Sequence, residues 1–194
     1  MIRVGLTGNM GSGKTTVCKV FEILGAPVFY ADTEAKKLFS SPEIQQQVEK
    51  LFGREVFAND GTINTKALGA KVFTNAPLLK KLNAIIHPAV YDKFEQWASK
   101  QQNSPYIIQE AAILFETGSY QKFHYNILVY APENLLVERV IKRDQLLREQ
   151  VLDRLSHQMD QEAKKVLADW IVVNDDTTMV IPQVLAIHKD LTNR

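Results

Sequence analysis

Cysteine is nearly absent from this chain: Cys18 is the single one among 194 residues. That excludes an internal disulfide framework and suits a reducing compartment. Cys18 falls in an apolar stretch with the spacing of a helix face, where a small buried packing residue is expected rather than a reactive thiol. Charge of one sign is lacking too. Lys and Arg number 23 against 22 Asp and Glu, for a net charge of +1. No global field recruits nucleic acid or an anionic membrane, so any basic patch must be local. No apolar run reaches membrane-spanning length, and no signal peptide precedes the first strand-like run. A cytoplasmic protein with neither membrane nor nucleic-acid partners is expected. Repeats and low-complexity tracts are missing as well. The length allows one compact domain with an insertion, and the 45% apolar content can supply its core.

What is present begins with Gly8-Asn9-Met10-Gly11-Ser12-Gly13-Lys14-Thr15, which fits G-x-x-x-x-G-K-[ST]. Ile2–Thr7 before it reads as a strand. After it, Val17, Val20, Phe21 and Leu24 mark a helix face. Strand, glycine-rich turn and helix is the setting in which this pattern cradles phosphates. Gly8, Gly11, Ser12 and Gly13 bring backbone N–H groups close to phosphate oxygens, and the helix N-terminus adds partial positive charge. Lys14 can reach the terminal phosphates, and Thr15, followed by Thr16, can meet Mg²⁺. The chain is therefore expected to bind a nucleoside triphosphate.

Four further buried strands are expected at Pro27–Tyr30, Tyr106–Gln109, Asn126–Tyr130 and Trp170–Val173, each a short run rich in β-branched or aromatic residues. Helical patterns separate them. The result is an α/β fold, a five-stranded parallel sheet of the P-loop NTPase type. Ligands of such sheets sit at the strands' carboxyl ends, which singles out Asp32, Glu110, Pro132 and Asn174. Residues 1–31 and 105–194 would form the core. Residues 32–104 are too many for one crossover helix and read as an inserted helical subdomain for the phosphate acceptor. Within it Ser40-Ser41-Pro42-Glu43 reads as a helix cap and Asn64 as the cap of a helix over 65–73. A long apolar periodicity opens at Pro77, with Pro88 breaking or kinking it just after His87. Residues about 139–160 carry Arg139, Arg143 and Arg148 and two helical patterns, the second holding Val151, Leu152, Leu155 and Met159. They read as a helical lid.

Phosphoryl transfer asks for in-line positioning, positive charge on the transferred group, an acceptor for the attacking hydroxyl's proton, and exclusion of water. Lys14, Arg139 and Arg143 are the candidates for charge, arginine because its planar fork binds phosphate oxygens bidentately. Asp32 is the candidate base, although an N-cap for a helix over 33–39 would use the same residue type. Glu110 can hold the metal through a water. His87 can contact acceptor phosphates or hydroxyls, or merely pack.

These pieces together resemble the dephospho-coenzyme A kinase family. The resemblance runs through Val4-Gly5-Leu6-Thr7-Gly8 and Gly11–Thr15; Leu24-Gly25-Ala26-Pro27-Val28 leading to Ala31-Asp32; Phe52-Gly53 with Asp60-Gly61; Ile85-Ile86-His87-Pro88-Ala89-Val90; Leu114-Phe115-Glu116; Arg139 and Arg143-Asp144; and Ala168-Asp169 through Val173-Asn174. The resemblance implies ATP-dependent phosphorylation of the ribose 3′-hydroxyl of dephospho-coenzyme A, the last step of coenzyme A synthesis. It implies ATP and Mg²⁺ as cofactors, Asp32 as base, His87, Leu114 and Phe115 in the acceptor-binding elements, Asn174 at the nucleotide, and Arg139 and Arg143 in the lid. The family usually has aspartate at the position of Glu110 and proline at that of Ala112, so here the carboxylate stands on a longer arm and its loop is less stiff. Another small-molecule P-loop kinase, acting on a nucleoside or nucleotide, is the alternative. A GTPase-type switch would need an Asn-Lys-x-Asp segment, which is absent; Asn174-Asp175-Asp176 lacks the lysine.

Overall fold

The apolar run Ile2–Thr7 is strand β1 of a computed structural model that describes residues 1–73 and 75–194. The chain continues through α1 (Lys14–Ile23), β2 (Val28–Tyr30), α2 (Ala31–Leu38), α3 (Pro42–Phe52), α4 (Thr65–Phe73) and α5 (Ala76–Ala98). It then forms β3 (Tyr106–Glu110), β4 (Tyr125–Tyr130), α6 (Glu133–Asp144), α7 (Arg148–Ser156), α8 (Gln161–Leu167), β5 (Trp170–Val173) and α9 (Val180–Thr192). By internal contacts the chain divides into one unit of residues 1–30 and 101–194 and another of residues 31–100.

The first unit is the sheet and its cover. Among the described residues the sheet has five strands in the order β2-β3-β1-β4-β5, every pair parallel. Sheets of this kind carry helices on both faces, so their strands read as nearly continuous apolar runs. β3 is buried at every position and β4 at its four central ones. Val4 and Leu6 of β1 meet Val17, Cys18 and Phe21 of α1 and Val184, Ile187 and Leu191 of α9 in one cluster. Cys18 is fully buried there. Burial, reinforced by the nearby Glu110 and Glu22 carboxylates, pushes its thiol pKa far up, as suits a packing residue. In register, Glu110 lies beside Leu6, and Leu128 beside Thr7. The loop that leaves β1 at Gly8 therefore starts at the carboxyl edge of the sheet's central strand.

The second unit is helical. Ser41 precedes α3 with extended backbone and Pro42 at its first position, but its hydroxyl makes no capping bond. Asn64 Oδ1 accepts from Ala67 N at 3.0 Å and so caps α4. Asn75 caps α5 in the same way, through Leu78 N at 3.1 Å. Two expectations are corrected in this unit. α5 is not broken at Pro88 but runs through it to Ala98. Proline removes one ladder hydrogen bond. Leu82, Ile86, Val90, Phe94 and Ala98 nonetheless form one buried stripe, four residues apart, packed toward α2, α3 and α4. Asp32 is not an N-cap, since α2 starts at Ala31 and places Asp32 inside its first turn. A carboxylate there still suits the helix dipole.

α6 and α7 form a hairpin whose Val137, Val140 and Val151 pack with Met10, Leu146 and Leu155. Gln145 ends α6 in a left-handed conformation, φ 54°. α7 stops at Ser156, so Met159 lies in the turn before α8 rather than on the helix face expected from its spacing.

Candidate active site

The loop between β1 and α1 requires glycine at two positions. Gly13 sits at φ 92° at the start of α1, and a Cβ there would run into the side-chain amide of Asn174. Gly11, at φ 83°, would place a Cβ 2.6 Å from the Leu136 carbonyl of α6. Neither position tolerates a side chain without displacing backbone or the Asn174 amide. Asn174, just past β5, donates through Nδ2 to the Ser12 carbonyl at 2.8 Å. Arg139 of α6 donates to the Gly11 carbonyl at 3.3 Å and the Asn174 carbonyl at 3.0 Å, and pairs with Asp176 at 2.5 Å. The phosphate loop is thus held from α6 and from the end of β5 together.

Inside the loop, Lys14 Nζ donates to the Gly8 carbonyl at 2.8 Å and the Asn9 carbonyl at 3.4 Å. Its ammonium is thus folded onto the carbonyls of the loop's first two residues. Thr15 and Thr16 are exposed in the first turn of α1. Ser12 Oγ and Asn9 Oδ1 are buried without a hydrogen-bond partner among the described residues. Buried polar atoms of this kind ask for a partner from outside the chain. A cleft of about 330 Å³, lined in part by Asn9, Leu136, Leu152, Leu155, Gln158 and Met159, opens between the loop and the α6–α7 hairpin.

The residues available to a metal fit Mg²⁺ bound mainly through substrate. Thr15 is open at the helix start, and Glu110 is a buried carboxylate, 7% exposed, at the carboxyl end of β3. No cluster of three or more His, Cys, Asp or Glu suited to a metal exists among the described residues. One hydroxyl and one carboxylate leave most positions to water and phosphate oxygens, the usual state of Mg²⁺ in phosphoryl-transfer sites.

Arg143, one turn beyond Arg139, does not converge with it: its guanidinium is 63% exposed and grips the neighbouring Asp144 at 2.7 and 2.8 Å. Arg148 is exposed at the start of α7. Leu114 and Phe115, in the turn after β3, are buried, Leu114 against Gly5 and Phe115 edge-on to Tyr120 at 5.3 Å. In the helical unit, Asp32 is exposed and its carboxylate has no partner among the described residues. His87 is half-buried on α5, and burial lowers its pKa below the ordinary histidine value.

Several contacts of this neighbourhood escaped the sequence. Gln158 accepts from Met10 N at 2.9 Å, Asn9 Nδ2 reaches the Met159 carbonyl at 3.3 Å, and Glu116 pairs with the buried Lys164 at 2.7 Å. Asp176 holds Arg139. Gln158 and Lys164 sit in polar, charged stretches that read as solvated surface, and only the long-range fold turns them inward.

The family model described as dephospho-CoA kinase matches residues 2–179. The dephospho-CoA kinase of Bacteroides fragilis is 37% identical over 187 residues, which are 96% of this chain and 91% of the relative. Among solved structures, a Thermus thermophilus protein superposes with a TM-score of 0.89 at 34% identity, over 98% of both chains. The dephospho-CoA kinase of Campylobacter jejuni gives a TM-score of 0.70 at 25% identity, over 98% of this chain and 97% of the other.

Proposed function

This chain belongs to the dephospho-CoA kinase family, and we infer from that premise how its residues divide the work. The enzyme phosphorylates dephospho-CoA, the last step of coenzyme A biosynthesis. We propose that the donor is ATP and the acceptor group the ribose 3′-hydroxyl. The observation that carries the assignment is the phosphate loop in its parallel-sheet setting, held by Asn174 and Arg139, with family-wide similarity over nearly the whole chain.

The amides of Gly11, Ser12 and Gly13 and the positive end of α1 take the phosphates, and Ser12 Oγ supplies a further donor. Lys14 exchanges its loop carbonyls for the terminal phosphates and stabilises the charge that spreads over the transferred group. Asn174 and Arg139 keep the loop in its cradle, and Arg139 brings positive charge beside it. The Thr15 hydroxyl and, through a water, the Glu110 carboxylate would hold Mg²⁺, which when bound would neutralise charge at the phosphates. Asp32 accepts the proton of the attacking hydroxyl; its exposure and lack of a competing partner support that role. His87, with Leu114 and Phe115 shaping the acceptor elements, serves dephospho-CoA binding. A half-buried, neutral imidazole can accept or donate a hydrogen bond without carrying a charge.

The test is ADP formation from Mg·ATP with dephospho-CoA set against nucleosides, nucleoside monophosphates and shikimate-sized alcohols. Turnover confined to dephospho-CoA is expected. Turnover of a panel member without dephospho-CoA activity would overturn the acceptor assignment and leave the nucleotide site standing.

A further inference from the structure

Glu116 and Lys164 have no part in the chemistry proposed above, yet they form a deeply buried ion pair. The Lys164 side chain is fully buried and Glu116 is 18% exposed, with 2.7 Å between Nζ and Oε1. Burial pulls the lysine pKa down and the carboxylate pulls it back up. Such pairs are weak evidence for stability, because desolvation offsets much of the attraction, and a role in fixing geometry has to be argued from what they touch. Here the contacts run in one direction. Glu116 Oε1 also accepts from Met159 N at 3.0 Å. The Met159 carbonyl accepts from Asn9 Nδ2 at 3.3 Å, and the neighbouring Gln158 Oε1 accepts from Met10 N at 2.9 Å. Asn9 and Met10 are the first two variable residues of the phosphate loop. On the other side, Gln161 brackets Ala131 at the end of β4 through both its amide atoms, which fixes the start of α8 and so the position of Lys164.

We propose that Glu116 and Lys164 are positioning residues for phosphoryl transfer: the pair clamps the Gln158–Met159 turn, at the exit of the α6–α7 hairpin, onto Asn9 and Met10 and thereby sets the conformation of the phosphate loop. The clamp explains why a lysine is buried where an apolar residue would pack at lower cost. It also links the turn after β3, which carries Leu114 and Phe115, to the nucleotide loop through one carboxylate. Glu116 Oε2, buried without a hydrogen-bond partner among the described residues, shows that one oxygen carries both contacts. A charge on either member alone would be stranded in the interior, whereas removing both charges leaves Gln at 116 as an acceptor for Met159 N.

The proposal rests on the kinase assignment, and the wild-type enzyme's turnover of dephospho-CoA tests that assignment separately. Steady-state kinetics would be measured for Glu116→Gln, Lys164→Met and the double variant, well below each melting temperature. Each single variant is expected to lower kcat/KM for ATP about tenfold, with the KM for dephospho-CoA held within twofold, and the double variant is expected to recover most of the loss. Gln158→Met, on a half-buried turn residue whose loss leaves no charge behind, is expected to show the same donor-selective defect with an unchanged melting temperature. It carries the test if the single charge variants fail to fold. ATP and dephospho-CoA parameters that move together, or a Gln158→Met enzyme with wild-type ATP kinetics, would overturn the clamp.

Discussion

Lys14 shows what a single residue reveals and what it hides. Its place in the motif announced a phosphate ligand, and its ammonium lies on the Gly8 and Asn9 carbonyls at the loop mouth. Lys14→Ala should lower kcat on the order of 10²–10³-fold, the effect of losing one preorganised charge at the transferred group. Near-normal kcat would make the lysine a loop staple only. For Asp32, position inside the first turn of α2 removes the capping role that the sequence left open. Asp32→Asn should therefore reduce kcat on the order of 10²–10⁴-fold, with thermal unfolding lowered only by the small helix-dipole contribution. A fall in melting temperature with kcat intact would identify a helix-dipole residue instead. Arg139 and Arg143 were indistinguishable in sequence, four residues apart on one helix. The structure separates them, since only Arg139 has carbonyls and a carboxylate from the loop and the β5 end within reach. That difference lies in long-range contacts, which no local spacing encodes.

At the scale of elements, Asn64 and the strands were legible because their signals are local: a side chain that satisfies orphan amides, and apolar runs that suit a doubly covered sheet. Of the break or kink expected at Pro88, the break is absent for a reason that is also physical. The rule that proline ends a helix concerns an isolated helix, and the buried stripe Leu82, Ile86, Val90, Phe94 and Ala98 outweighs one lost hydrogen bond. Proline in a helix interior is roughly 3 kcal/mol less favourable than alanine, an upper bound where the backbone has relaxed around it. Pro88→Ala should raise the melting temperature by about 2–4 °C per kcal/mol regained. A lower melting temperature would mean that the ring itself packs. His87 on the same helix gives a pH signature. Its folded pKa is lowered by burial, so the folded state binds fewer protons than the unfolded chain just below the ordinary value of ~6.5. Stability should fall as pH drops from there toward the lowered folded pKa. Denaturant titrations of His87→Gln should show a flatter dependence across that window. An unchanged slope would place the acid sensitivity elsewhere.

At the scale of the molecule, five parallel strands with a glycine loop after the first were readable from runs and spacing alone. So was the long helical stretch between β2 and β3, because no single crossover helix needs some seventy residues. What stayed hidden was the way distant segments meet on the phosphate loop: Asn174 from beyond β5, Arg139 from α6, and Gln158 from the turn after α7. Such convergence is a property of the closed fold: the sequence singled out Asn174 and Arg139 but not the carbonyls they hold, and Gln158 reads there as surface.

The most direct test of the central claim is the identity of the product. Wild-type enzyme, Mg·ATP and dephospho-CoA would be followed by ³¹P NMR to completion. One new phosphomonoester resonance on the ribose 3′-oxygen, growing with ADP in equal amounts and absent with Lys14→Ala over the same time, is the predicted result. ADP without that resonance, or a phosphate on another oxygen, would contradict it.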